Sequence, residues 1–221
     1  MSKDLKNIPV YPGSREMRAF SMPDIRALEE GGNVIEGHAA VFGQAYDMYR
    51  CWEETIARGA FDGTDFSDVL FSINHDLSRI PLARSRNNTQ NSTLYLKIDD
   101  QGLGTRATLD VENNSEAKAL YGSVGRGDIS GMSYIFVVRK DEWTELDSDY
   151  PKRMITDIAK VYEVSAVSFP ANPGTDISTR SQDALESAKK VLESARARAK
   201  ELDSSAELEL EKIKTEIYKK V

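Results

Sequence analysis

One serine stands at the head of a strand-like apolar run. Gly131-Met132-Ser133-Tyr134-Ile135-Phe136 follows the glycine-punctuated turn Arg126-Gly127-Asp128. One of only two histidines lies upstream in Asn74-His75-Asp76, and a glutamate lies downstream in Tyr162-Glu163-Val164-Ser165. A serine, a histidine and a carboxylate on three separate segments are the parts of a serine hydrolase, which is recognised by geometry rather than by sequence neighbourhood. A serine hydroxyl is a poor nucleophile until a base takes its proton. An imidazole, with an unperturbed pKa of about 6.5, can take that proton at neutral pH and return it to a leaving amine.

Each residue has a plainer reading. Ser133 shares one strand face with Ile135 and Val137, and a hydroxyl on an apolar face needs a polar partner, which backbone alone can supply. Ser130 is the competing nucleophile, but it falls at the turn before Gly131 and serves to shape the loop. Ser165 and Ser168 are weaker candidates. His75 follows a short apolar run, Val69-Leu70-Phe71-Ser72-Ile73, which delivers it to a strand's end. Its plain alternative is a turn histidine bonded to Asp76. The other histidine, His38, sits mid-strand beside two alanines and reads as a half-exposed strand residue. No second histidine lies at ligand spacing from His75, so no metal is expected. Glu163 could equally be a surface glutamate paired with Lys160 or Arg153.

The order of segments adds to this. Ile35-Glu36-Gly37-His38-Ala39-Ala40-Val41-Phe42 comes first, then Gly59-Ala60-Phe61 and Asn74-His75-Asp76. Thr93-Leu94-Tyr95-Leu96-Lys97-Ile98-Asp99-Asp100-Gln101-Gly102-Leu103 follows. The serine segment and then Glu163-Val164-Ser165 with Pro170-Ala171-Asn172-Pro173 complete the series. In this order the segments resemble the prohead proteases of tailed bacteriophages. The likeness runs from about residue 19 to 180 and implies His75, Ser133 and Glu163 as catalytic residues. Glu163 would replace the second histidine of the related herpesvirus proteases. The resemblance implies an α+β, mostly β fold: a herpesvirus-protease-like β-barrel with surrounding helices. It implies a serine endopeptidase that cuts the scaffolding domain of the major capsid protein, and itself, in the host cytoplasm inside the procapsid. No cofactor is implied. The alternative is a non-enzymatic scaffold or assembly protein with an inactive barrel. Two departures stand beside the site: the family often has glycine at Ile135 and at Ala83.

Bulk properties agree with this class. With 40% hydrophobic and 29% charged residues, the 221-residue chain can bury one good core. A net charge of −7 argues against nonspecific nucleic-acid binding. No apolar run approaches the ~20 residues that span a bilayer, and the first residues lack a signal-peptide core. Cys51 is the only cysteine, which excludes an intrachain disulfide and a cysteine zinc cluster. The sequons at Asn87, Asn91 and Asn113 read as loop polarity.

The elements that must position the site follow from periodicity. Residues 1–18 read as an irregular, flexible arm, and 19–180 as the protease domain. Ile35, Gly37, Ala39 and Val41 alternate with polar or small residues, the period of a half-buried strand. Glu53 to Phe61 reads as a short helical or looped segment. Leu94, Leu96 and Ile98, a turn at Asp99 to Gly102, then Leu103, Thr105 and Ala107 form a hairpin. Asn113 to Gly122 reads as a helix. Strands are expected from Ile129 to Arg139 and from Asp157 to Phe169. The oxyanion hole would come from backbone N–H groups in the turn 125–131 or the loop 170–175. From residue 181 to 221 glycine and proline vanish. Leu185, Ala188, Leu192, Ala195, Ala199 and Leu202 keep a 3–4 spacing, which shifts after Ser204-Ser205. That extension is a docked helix, or a coiled-coil or scaffold-binding element through which the chain could self-associate.

Overall fold

The computed structural model describes residues 5–9, 15–21, 24–28, 32–168 and 179–218. The strands are β1 (Leu5–Pro9), β2 (Glu16–Ser21), β3 (Arg26–Leu28), β4 (Val34–Val41), β5 (Tyr46–Met48), β6 (Trp52–Ile56), β7 (Val69–Ile73), β8 (Ala83–Ser85), β9 (Leu94–Ile98) and β10 (Gly102–Thr108). Helix α1 (Ser115–Gly125), β11 (Gly131–Thr144), β12 (Lys152–Val167) and α2 (Thr179–Tyr218) complete the order. Among the described residues the protein is mostly β with two helices, an α+β class. Its strands form an eight-stranded sheet built on β11 and β12 and a four-stranded sheet in the order β3-β4-β10-β9. Among the described residues these ladders do not join into one closed ring.

The long β11–β12 hairpin organises the molecule. Its register shifts several times between Ile135 and Asp141, so the two strands bend rather than run flat. In its site-proximal half, β11 pairs antiparallel with β2, placing Ser133 opposite Ala19, and β12 pairs parallel with β7. In its distal half, β11 pairs with β1 and β12 with β6. The arm expected to be irregular thus supplies two strands. Its Glu16 and Arg18, though charged, are both buried. Likewise 53–61 begins as strand β6, not a helix, with Trp52, Glu54 and Ile56 buried on its inner face.

Ile35, Ala39, Phe71, Leu94, Leu103, Leu120, Met132, Phe136 and Val164 are among the residues of one apolar core between the sheets. Gly37 is required there: a Cβ would lie 2.9 Å from the Ile25 backbone and 3.1 Å from Met132 Sδ. Helix α1 starts at Asn114, whose side chain accepts from the N–H groups of Glu116 and Ala117, satisfying two of the helix's orphan donors. It ends three residues later than expected, at Gly125, and leads into the serine strand.

A second core lies at the distal end, where Met48, Trp52, Trp143 and Leu146 pack against Leu192 and Ala195 of α2. Arg196 clamps the contact by donating to the carbonyls of Leu146 and Ser148, each at 3.0 Å. The docked-helix reading therefore describes this part of α2. Further along, Leu202 and Leu208 are exposed. Of the two forms open to the extension, one long helix or a helical pair broken near Ser204-Ser205, α2 is the first: it is continuous, and Ser204 Oγ donates back to Lys200 O at 3.0 Å. Truncation after Leu202 should leave stability nearly unchanged. Leu192→Ala should lower it by about 2 kcal/mol, the low end for a buried leucine. Urea denaturation of the three proteins checks this.

Between the two cores lies a buried ion cluster. Arg153 donates to Glu16 Oε1 at 2.8 Å, to Glu54 Oε2 at 3.0 Å and to Asp141 Oδ2 at 2.8 Å. Arg18 donates to Glu16 and Glu54 as well. The Trp143 indole N–H donates to Asp141 Oδ2 at 3.0 Å. Burial alone would push the Glu16 carboxyl up, but the Arg153 and Arg18 guanidiniums together hold it at about 2. Removing one partner strands buried charge, so Arg153→Ala should cost about 3–5 kcal/mol. Because the Glu16 pKa is depressed, its contribution is complete above the ordinary value of 4.5 and is lost as pH falls toward about 2. Unfolding followed from pH 6 down to about 2 should show that loss in the parent and a weaker slope in Glu16→Gln.

Candidate active site

Strand β7 ends by delivering Asn74 and His75, both left-handed, with φ of 51° and 59°. Such residues cost about 1–3 kcal/mol each and persist only when surroundings over-determine them. Here the surroundings do. Asn74 N–H donates to Ala166 O at 3.0 Å, and its side-chain oxygen accepts from Ser168 N–H at 3.0 Å. His75 N–H donates to Ser165 Oγ at 3.0 Å. The chain is thereby turned off the β7 line, and the imidazole swings back over β11 and β12.

The three residues singled out in the sequence come together. His75 Nε2 is hydrogen-bonded to Ser133 Oγ. His75 Nδ1 is 2.6 Å from Glu163 Oε2. Parallel pairing of β7 with β12 sets Leu70 beside Glu163, and antiparallel pairing of β11 with β12 sets Ser133 beside Ser165. Ser133 and Glu163 are fully buried, while the imidazole keeps 10% of its surface exposed. Glu163 is thus no surface residue. Lys160 pairs with Asp65 instead, and Arg153 belongs to the buried ion cluster. Asp76 turns toward Ser78 and Arg79.

An acceptor carboxylate on Nδ1 places the ring proton there and leaves Nε2 with a lone pair for the serine proton. Ser133 Oγ also lies 2.7 Å from Arg18 O and can donate to it. A hydroxyl has one proton, so this carbonyl and a neutral imidazole compete for it. When the imidazole is protonated, Nε2–H donates to Ser133 and Ser133 donates to Arg18 O. When it is neutral, Ser133 turns its proton to Nε2. The geometry can therefore support nucleophilic attack with proton transfer at one imidazole nitrogen.

The other candidates fall elsewhere. Ser130 is exposed at the turn. His38 lies between Asp24 and Asp99, with its Nε2 3.0 Å from Asp99 Oδ2. Burial opposes its charge, but the Asp24 and Asp99 hydrogen bonds hold its pKa above the ordinary histidine value. In the turn 125–131, the N–H groups of Arg126, Gly127, Asp128 and Ile129 already donate to carbonyls of α1. The loop 170–175 lies outside the described residues. Ile135 and Ala83, where the resemblance departs, are both buried strand residues. No cluster of metal-ligating side chains is found among the described residues. Nor is any of their helices long and apolar enough to cross a membrane.

Sequence reasoning passed over Ser72 and the Arg18 carbonyl, and weighed Ser165 only as a weaker nucleophile. Ser72 Oγ donates to Glu163 Oε1, Ser165 receives the His75 N–H, and Arg18 offers its carbonyl. Ser72 and Ser165 were visible as hydroxyls inside apolar strand runs, which must find partners when buried.

Fold and site together describe a mostly β protein in which a serine, a histidine and a carboxylate are joined by hydrogen bonds. A family model described as caudovirus prohead serine protease matches residues 21–190, and the chain belongs to that family. The prohead protease of Enterobacteria phage HK97 is 26% identical over 178 residues, covering 78% of this chain and 72% of that protein. No solved structure gives a significant match.

Proposed function

We propose that this protein is a serine endopeptidase that cleaves the scaffolding domain of a phage major capsid protein, and itself, inside the procapsid. The observation that carries this reading is the continuous hydrogen-bonded line from Glu163 through His75 to Ser133. Family membership supplies the capsid context. By the same resemblance we read the two packed sheets as a herpesvirus-protease-like core, residues 19–180 as the protease domain and 181–221 as its helical extension.

Ser133 Oγ attacks the scissile carbonyl carbon as its proton passes to His75 Nε2. Glu163 accepts from Nδ1–H throughout and stabilises the imidazolium that forms. Collapse of the tetrahedral adduct returns the proton from Nε2 to the leaving amine and leaves an ester on Ser133. Water then attacks that ester, giving its proton to Nε2, and collapse of the second adduct returns that proton from Nε2 to Ser133 Oγ as the acid product departs. Of the three side chains only the imidazole has exposed surface, so the peptide enters past His75. The test is co-expression with the major capsid protein, followed by intact-mass measurement. Loss of one discrete segment from the capsid protein is expected. An unchanged mass beside soluble, folded protein would sink the proposal.

A further inference from the structure

Two buried serines, Ser72 and Ser165, lie behind the three residues. Ser72 is 5% exposed and Ser165 is fully buried, and their hydroxyls lie 3.0 Å apart across the parallel β7–β12 pairing, where they are direct partners. Each has one proton, and the acceptors dictate its direction. Glu163 as a carboxylate only accepts, so Ser72 donates to its Oε1. Ser72 Oγ can then only accept from Ser165. Ser165 Oγ in turn accepts the His75 backbone N–H at 3.0 Å. The remaining carboxylate oxygen, Oε2, faces His75 Nδ1 at 2.6 Å. The bonds close a ring that leaves from the backbone of His75 and returns to its side chain.

We infer that Ser72 and Ser165 are positioning residues that hold the Glu163 carboxylate and fix His75 as its Nδ1–H tautomer. This rests on the reading of Ser133, His75 and Glu163 given above. Three consequences follow from the ring. Glu163 is fully buried, and Ser72 supplies the hydrogen bond that its Oε1 needs there. With Oε1 held, Oε2 has a single orientation toward the imidazole. The left-handed backbone of His75, φ 59°, is pinned by the same ring that sets its tautomer. A one-way donor sequence thus runs into the carboxylate, and reversing any link would break another.

The chain has two histidines, so ¹⁵N-histidine labelling gives a direct readout. In the full-length protein, ring ¹⁵N shifts should report His75 as Nδ1–H, with His38→Gln assigning the two rings. Ser72→Ala should raise the share of the Nε2–H tautomer. It should also lower kcat about 10–100-fold with KM nearly unchanged, the size seen when outer partners of a functional histidine are removed. Ser165→Ala should act in the same direction and serves if Ser72→Ala does not fold. In a Glu163→Gln background, Ser72→Ala should add no further loss, because it acts through Glu163. A purely structural role would lower the melting temperature, leave the tautomer and kcat alone, and add independently to Glu163→Gln; that result would overturn the inference. Cleavage surviving in Ser133→Ala would refute the nucleophile reading instead, and the tautomer measurement would still decide the ring.

Discussion

Ser133→Ala is expected to lower cleavage of the capsid protein by about 10⁴-fold or more, the scale on which removing a nucleophile acts. The structure makes the choice of serine sharp. Ser133 Oγ touches His75 Nε2, whereas Ser130 is exposed at the turn. Ser72 and Ser165 face the far side of the carboxylate. The variant should fold. It loses the hydrogen bonds of Ser133 to His75 Nε2 and Arg18 O, and each such bond contributes about 1 kcal/mol net. The check is a time course of capsid-protein mass for Ser133→Ala and Ser130→Ala, alongside their melting temperatures. Normal processing by the first together with a dead second would reassign the nucleophile to the turn. Equal stability of both proteins would show that the loss is chemical rather than structural.

The site was largely legible because its groups are chemically conspicuous. A chain with two histidines leaves few bases to choose from, and one of the two stands where an apolar strand stops. Ser133 sits on a strand whose neighbours are apolar on both faces, so its hydroxyl had to be explained. The supporting ring was not legible as a ring. Ser72 and Ser165 each follow the period of their own strand, and only the parallel pairing of β7 with β12 makes them partners. That pairing is a long-range fact that no local pattern carries.

The ion cluster failed to show for a related reason. Glu16 and Arg18, Trp52 and Glu54, and Asp141 and Trp143 are all pairs two residues apart, so each pair shares one strand face. Taken singly, alternating charges on a strand signal solvent. Here the charged faces of β2, β6, β11 and β12 turn toward one another, and three carboxylates share two guanidiniums. The hairpin β9–β10 was the easy case. Its turn chemistry is local: Asp99 Oδ1 accepts the N–H groups of Gln101 and Gly102 at 2.8 and 3.1 Å. A Cβ on Gly102 would meet Ala40 O at 1.9 Å, so glycine is required there by a neighbouring strand as well as by the turn.

His75→Ala should be as inactive as Ser133→Ala, and His38→Gln should retain activity. Without the imidazole the Ser133 proton has only Arg18 O to go to, and a carbonyl cannot carry it away. The buried Glu163 also loses the partner of Oε2. His38 has a different task. Asp24 and Asp99 bracket its ring and hold its pKa above the ordinary histidine value. A raised pKa contributes stability that is fully present below the unfolded-state value and is lost as pH rises through the folded one. His38→Gln should therefore be less stable than the parent in mildly acidic buffer, with the gap closing as the solution becomes alkaline. Activity and melting temperature measured across that range separate the two histidines. An inactive His38→Gln of undiminished stability would reverse their assignment.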